Sequence, residues 1–187
     1  MHGGVGMASK AERGSLPWRL IGWGGTFALL LIPLAGGFPW SIGDYIFAAA
    51  IFALVGGTFE LAVRRSGNGW YRAGVAVALA TAFLLVWING AVGIIGDEGN
   101  PANLMFLGVI AIAVAGGIGA RFRAAGMAKA MTAAAGAEMV VGAVALVYGL
   151  GANQPPFFPG VLLLIGFFAL TWLLSAWLFQ KAARQGG

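Results

Sequence analysis

The chain has 187 residues, 60% hydrophobic and 9% charged, with a formal net charge of +5 and a mean hydropathy of +0.89. Soluble domains carry about 25% charged residues, so this composition excludes an ordinary soluble domain and a disordered chain and points to an integral protein of the lipid bilayer. Without a single Cys, disulfides, thiolate metal sites, haem attachment through C-x-x-C-H and lipoprotein anchoring are also excluded.

A helix needs about 20 largely apolar residues to cross ~30 Å of hydrocarbon. Six segments meet that need: residues 18–38, 43–63, 71–95, 102–120, 127–150 and 160–179. The expected fold is all-α, a polytopic membrane protein with six transmembrane helices in three hairpins and both termini cytoplasmic. It divides into an N-terminal tail (1–17), a transmembrane domain (18–180) and a C-terminal tail (181–187).

The first segment follows Lys10, Arg13 and Arg19 and resembles a secretory signal in outline. Its apolar run is too long for an h-region and no A-x-A site follows, so it is read as an uncleaved span. Pro33 removes the hydrogen bond to Leu29 and predicts a kink. Before the second segment, Ser41 and Asp44 have capping-box spacing, with Asp in place of Glu. At its far end Glu60 precedes Arg64 by four residues, a helical ion-pair spacing; the functional alternative is a cytoplasmic gate. The third segment carries Asn89 within Trp87-Ile88-Asn89-Gly90. Its amide needs partners in an apolar setting, through interhelical packing or, alternatively, in an outward-facing cavity. Asp97, Glu98, Asn100 and Asn103 follow. Oxygen ligands so close together could hold a hard cation, but a solvated turn and cap is the simpler role. Asn100 and Pro101 form an N-cap and N1 pair for the fourth segment, and Pro159 opens the sixth in the same way.

The fifth segment holds the strongest functional lead. Glu138 lies about ten residues into it, ~15 Å deep at 1.5 Å per residue and near the bilayer midplane. An ionisable group there costs roughly 2.5–3.5 kcal/mol even on mild insertion scales. Ala128, Ala135, Glu138, Gly142, Ala145 and Gly149 form one small-residue stripe, which lets membrane helices approach closely, so Glu138 is expected to face other helices. Thr26, Thr81 and Thr171 reach a similar depth and are its expected hydrogen-bond partners. Glu138 is either a neutral interhelical hydrogen-bond donor or a carboxyl that binds a proton or substrate.

Charge gives the orientation. The basic residues are Lys10, Arg13 and Arg19, then Arg64, Arg65 and Arg72, then Arg121, Arg123 and Lys129, and finally Lys181 and Arg184. They account for every Lys and Arg and fall in alternate connections, while loops 37–42, 96–101 and 151–159 have none. The positive-inside rule places both termini in the cytoplasm. In a soluble protein such a charge would suggest nucleic acid; here it orients the chain, and no nucleic-acid partner is expected. Trp40, Trp70, Tyr71, Phe157, Phe158 and Trp177 fall near boundaries, as an aromatic belt would.

Other patterns are packing signals. Gly56-Gly57, Gly116-Gly117 and Gly119 suit close helix contact. No phosphate loop occurs, and Gly22, Gly24 and Gly25 sit in an apolar span rather than after a strand, so no nucleotide cofactor is implied and none of any kind is expected. The only His, His2, lies in a Gly-rich start expected to fray. The second and third hairpins superpose with residues 93–96 on 148–151, but mostly through Ala, Gly and Val. No inverted repeat of the transporter kind is evident.

The runs YRAGVAVALATAFLLVWINGAVGIIG, DEGNPANLMF and SIGDYIFAAAIFALVGGTFELAVRR resemble a family of uncharacterised small bacterial inner-membrane proteins. The likeness covers most of residues 18–127 and is most specific at Trp87-Ile88-Asn89 and Asn100-Pro101-Ala102-Asn103. It implies an inner-membrane location and transfers no catalytic residues.

Three functions follow for weighing. The first is a non-enzymatic helical bundle acting as an accessory or assembly subunit, with other membrane proteins or further copies of itself as partners. The second is a small transporter or channel using Glu138, in a proton-coupled form. The third, an intramembrane enzyme, lacks the positioned groups that catalysis needs: there is no Cys, no His at depth, no H-E-x-x-H and no carboxylate pair in one span.

Overall fold

The computed structural model describes residues 18–152 and 157–185, with side chains placed from Trp23 and, in the last helix, from Pro159. His2, Lys10 and Arg13, the side chains of Arg19, Phe157 and Phe158, and Gly187 lie outside that description. Among the described residues every regular element is helical: α1 (Trp18–Ala35), α2 (Ile42–Arg65), α3 (Gly69–Ala91), α4 (Met105–Gly119), α5 (Ala124–Val147) and α6 (Phe157–Gln185). A 3₁₀ turn, Pro101–Leu104, leads into α4. Among the described residues five helices, α4 taken together with its leading 3₁₀ turn, are long and apolar enough to cross a membrane. The described apolar stretch of α1, Trp23–Ala35, is shorter, so five spans rest on the structure and the sixth on sequence.

The chain forms two compact units, Met1–Gly56 and Gly57–Gly187. In the first, α1 contains Pro33 and ends at Ala35. Gly37 has φ +67°, and the Phe38 N–H reaches back to the Pro33 carbonyl at 2.9 Å, closing the helix by a left-handed cap. The expected capping box at α2 is formed reciprocally. The Ser41 N–H donates to Asp44 Oδ2 at 2.7 Å, and the Asp44 N–H donates to Ser41 Oγ at 3.3 Å. Trp40 packs edge to face on Tyr45, centroids 5.2 Å apart. Gly56 leaves room for the Trp23 ring, which a Cβ there would meet at 3.0 Å.

In the second unit α5 is the central helix, flanked by α4 and α6, and α3 packs mainly on α6 rather than on its sequence neighbour α4. Small residues make this possible. A Cβ on Gly116 of α4 would lie 2.6 Å from the Ala130 Cβ, and one on Gly142 of α5 would lie 2.8 Å from Ile165. The core gathers Leu85, Ile95, Phe106, Val109, Phe168, Trp172 and Phe179 around the alanines of α5.

Contacts within the second unit mark its two ends. At one end the Tyr71 hydroxyl donates to the Phe122 carbonyl at 2.8 Å, and Arg72 donates to the carbonyls of Ser66 and Val63, capping the end of α2. The expected Glu60–Arg64 pair forms at 2.6 Å, and Trp70 meets Trp177 edge to face. Arg64, Arg65, Arg72, Arg121, Arg123, Lys129, Lys181 and Arg184 all lie in the segments gathered at this end. At the other end the loops after α3 and α5 touch through backbone: a Cβ on Gly151 would fall 2.6 Å from the Gly96 nitrogen.

Helices α1, α3 and α5 each stop about three to four residues before the expected ends at 38, 95 and 150. The cause is local. Gly37, Gly93 and Gly149 adopt φ of +67°, +73° and +62°, a conformation that ends a helix and that other residues resist. At its far end α6 runs on to Gln185, so Lys181 and Arg184 are helical.

Candidate functional site

Glu138 is fully enclosed, at 0% exposure, midway along α5. The sequence places it on the stripe of Ala128, Ala135, Gly142 and Ala145, and all four are buried with it; Gly149 lies past the helix end and is exposed. That face meets α6. The α6 residues Val161, Ile165, Phe168, Trp172, Ser175, Phe179 and Ala182 recur at alternating steps of four and three and are all buried. This is one face of a helix at 3.6 residues per turn. Gly142 opposes Ile165, and one turn back along α5 and two turns on along α6, Glu138 opposes Trp172.

The pair is under-satisfied by protein groups. Both carboxyl oxygens of Glu138 and the Nε1 of Trp172 are buried without a hydrogen-bond partner. The indole of Trp172 is the polar group that faces the Glu138 carboxyl. A buried polar group left unpaired costs roughly 1–3 kcal/mol, so this is a local concentration of unmet hydrogen-bonding capacity in an otherwise apolar interface. A carboxyl can accept from the indole, which donates only, and in its neutral form can donate one proton itself.

Two of the threonines expected to serve Glu138 bond within their own helices. Thr81, 2% exposed, donates to the Val77 carbonyl at 2.8 Å in its own helix. Thr171 donates to the Phe168 carbonyl at 2.9 Å. Membrane-depth hydroxyls have a carbonyl one turn back always within reach, and that local partner wins over a distant one. Thr26 is half-buried in α1, in the first unit. Asn89 behaves like the threonines on its amide side, donating to the Leu85 carbonyl at 2.7 Å, while its Oδ1 is buried without a partner.

Two polar residues at the packed interfaces escape a reading based on charge alone. Trp172 supplies the group facing Glu138, and Ser175, at 0% exposure, donates to the Gly74 carbonyl at 2.9 Å, tying α6 to α3. The signal for both was present in the four–three spacing of α6.

The acidic loop after α3 is structural. Asn103, 8% exposed, accepts from the N–H groups of Ile94 and Ile95 at 3.2 and 2.9 Å and donates to the carbonyls of Ile95 and Asp97 at 3.3 and 2.7 Å. Asn100 caps the following turn by accepting from the Ala102 N–H at 2.9 Å. The Asn103 amide and the Asn100 Oδ1 are thereby committed to backbone, and Asp97 and Glu98 are exposed. Among the described residues no three His, Cys, Asp or Glu side chains converge as metal ligands would.

No protein-family model matches the chain, and no curated protein and no solved structure matches it.

Proposed function

We propose that this is a non-enzymatic integral protein of a bacterial inner membrane that crosses the bilayer six times with both termini in the cytoplasm. It acts as an accessory or assembly subunit for other membrane proteins or for further copies of itself. The observation that carries this reading is the enclosure of Glu138. The one acidic group at membrane depth is built into the α5–α6 contact and closed off from any open pocket. The resemblance noted in the sequence supports the location, and the gathering of cations at one end of the second unit supports the orientation. The test is replacement of Glu138 by Gln together with isolation in mild detergent. The accessory reading expects Glu138→Gln to retain the fold and to migrate in the same larger assembly as the unsubstituted chain. Isolation of both as lone single chains contradicts it.

A second reading is favoured by one specific observation, the three unpaired polar atoms of Glu138 and Trp172. A carboxyl with open hydrogen-bonding capacity at mid-depth suits a small proton-coupled transporter or channel. On that reading Glu138→Gln abolishes transport in proteoliposomes while leaving the melting temperature in place.

A further inference from the structure

At the cationic end, α5 and α6 part to leave an open groove of about 620 Å³ whose lining includes Lys129, Thr132, Gln180 and Arg184 among alanines. Lys129 stands on the second turn of α5 and Arg184 on the last turn of α6, so the two cations face one space from opposing helices. No carboxylate lines the groove. Neighbouring cations are occupied: Arg64 by Glu60, Arg72 by backbone carbonyls, Lys181 by the Trp177 ring. Among the described residues no ion pair or hydrogen bond engages Lys129 or Arg184.

The groove is continued by an apolar furrow. On α5, Thr132 is followed at seven-residue steps by Met139 and Leu146, which hold to the same edge of the face turned to α6. On α6, Gln180 is preceded at seven-residue steps by Leu173 and Gly166. A Cβ on Gly166 would meet nothing within 4 Å, and Met139 and Leu173 are 55% and 45% exposed. The charged mouth at the end of the helices is thus continued by exposed apolar side chains along the furrow between them. A free anion would use only the mouth; a lipid uses both parts. Guanidinium binds phosphate oxygens through two parallel N–H donors and ammonium as a point charge, and basic pockets between helices at the cytoplasmic face suit anionic lipid headgroups.

We propose that the Lys129–Arg184 groove binds the headgroup phosphate of an anionic phospholipid, with an acyl chain laid along the furrow between α5 and α6. The inference rests on the membrane reading above. It is tested on the full chain purified in detergent, by native mass spectrometry during titration with phosphatidylglycerol, phosphatidylcholine or inorganic phosphate. Phosphatidylglycerol is expected to bind at least about tenfold more tightly than phosphatidylcholine, and Lys129→Gln with Arg184→Gln to remove most of that preference. Arg121→Gln with Arg123→Gln, which alters exposed cations outside the groove, is expected to keep it. Circular dichroism confirms that each variant is folded. Equal binding of the two lipids, equal loss in both double variants, or displacement of the lipid by equimolar inorganic phosphate overturns the proposal. Each of these leaves the membrane reading standing, whereas recovery of the chain from the aqueous fraction overturns both.

Discussion

Glu138 and Trp172 meet in the tightest part of the second unit, yet neither completes a hydrogen bond. The energetic consequence is specific. Replacing a buried polar group by an apolar one of similar volume removes an unmet desolvation cost, and such exchanges are neutral or favourable. Glu138→Met is therefore expected to leave thermal stability in detergent unchanged or to raise it by about 1–3 kcal/mol. A loss of that size shows instead that the carboxyl is well paired in the membrane. Asn103 is the opposite case, since its amide closes four contacts to the loop before α4. Asn103→Ala strands those backbone groups and is expected to cost about 2–4 kcal/mol, read from the same melting curves. Glu138 was legible in the sequence because an ionisable residue at that depth is rare. The structural role of Asn103 was not, because four residues with side-chain oxygens in one loop look alike until the backbone shows which of them faces inward.

At the scale of elements, the α4–α5 contact depends on the absence of one methyl group. A Cβ on Gly116 would lie 2.6 Å from the Ala130 Cβ, which has no flexible end to move away. Gly116→Ala is expected to destabilise the second unit by about 1–3 kcal/mol through overpacking. Adding Ala130→Gly makes the room again, so the double variant is expected to recover most of that loss; additive losses contradict a direct clash. The small-residue character of α5 was readable, and five of its six stripe residues are buried. The choice of partner was not: α3 packs mainly on α6, because Ser175 bonds the Gly74 carbonyl and Phe179 lies against Gly74, which has no side chain in the way. Helix ends were misplaced for a related reason. Apolar counting runs through Gly37, Gly93 and Gly149, whereas the backbone turns there.

At the scale of the molecule, the alternation of basic and uncharged connections along the chain becomes, in the second unit, a separation of its two ends. Tyr71, Arg72 and the Lys129–Arg184 groove mark one end, and the Gly96–Gly151 contact with exposed Asp97 and Glu98 marks the other. That separation was fully legible, since it needs only the order of charges and spans. The sixth span was legible as an apolar run alone, and the described part of α1 is too short to establish it. Because the chain contains no Cys, single Cys substitutions can report on each end without background. The most direct test is labelling of intact cells with a membrane-impermeant maleimide at Gly37, Gly99, Gly67 and Gln185, each changed to Cys in turn. Six spans with every cation inside predict that Gly37→Cys and Gly99→Cys react in intact cells, and that Gly67→Cys and Gln185→Cys react only after the membrane is opened. Labelling of Gln185→Cys in intact cells, or of all four positions alike, contradicts the account.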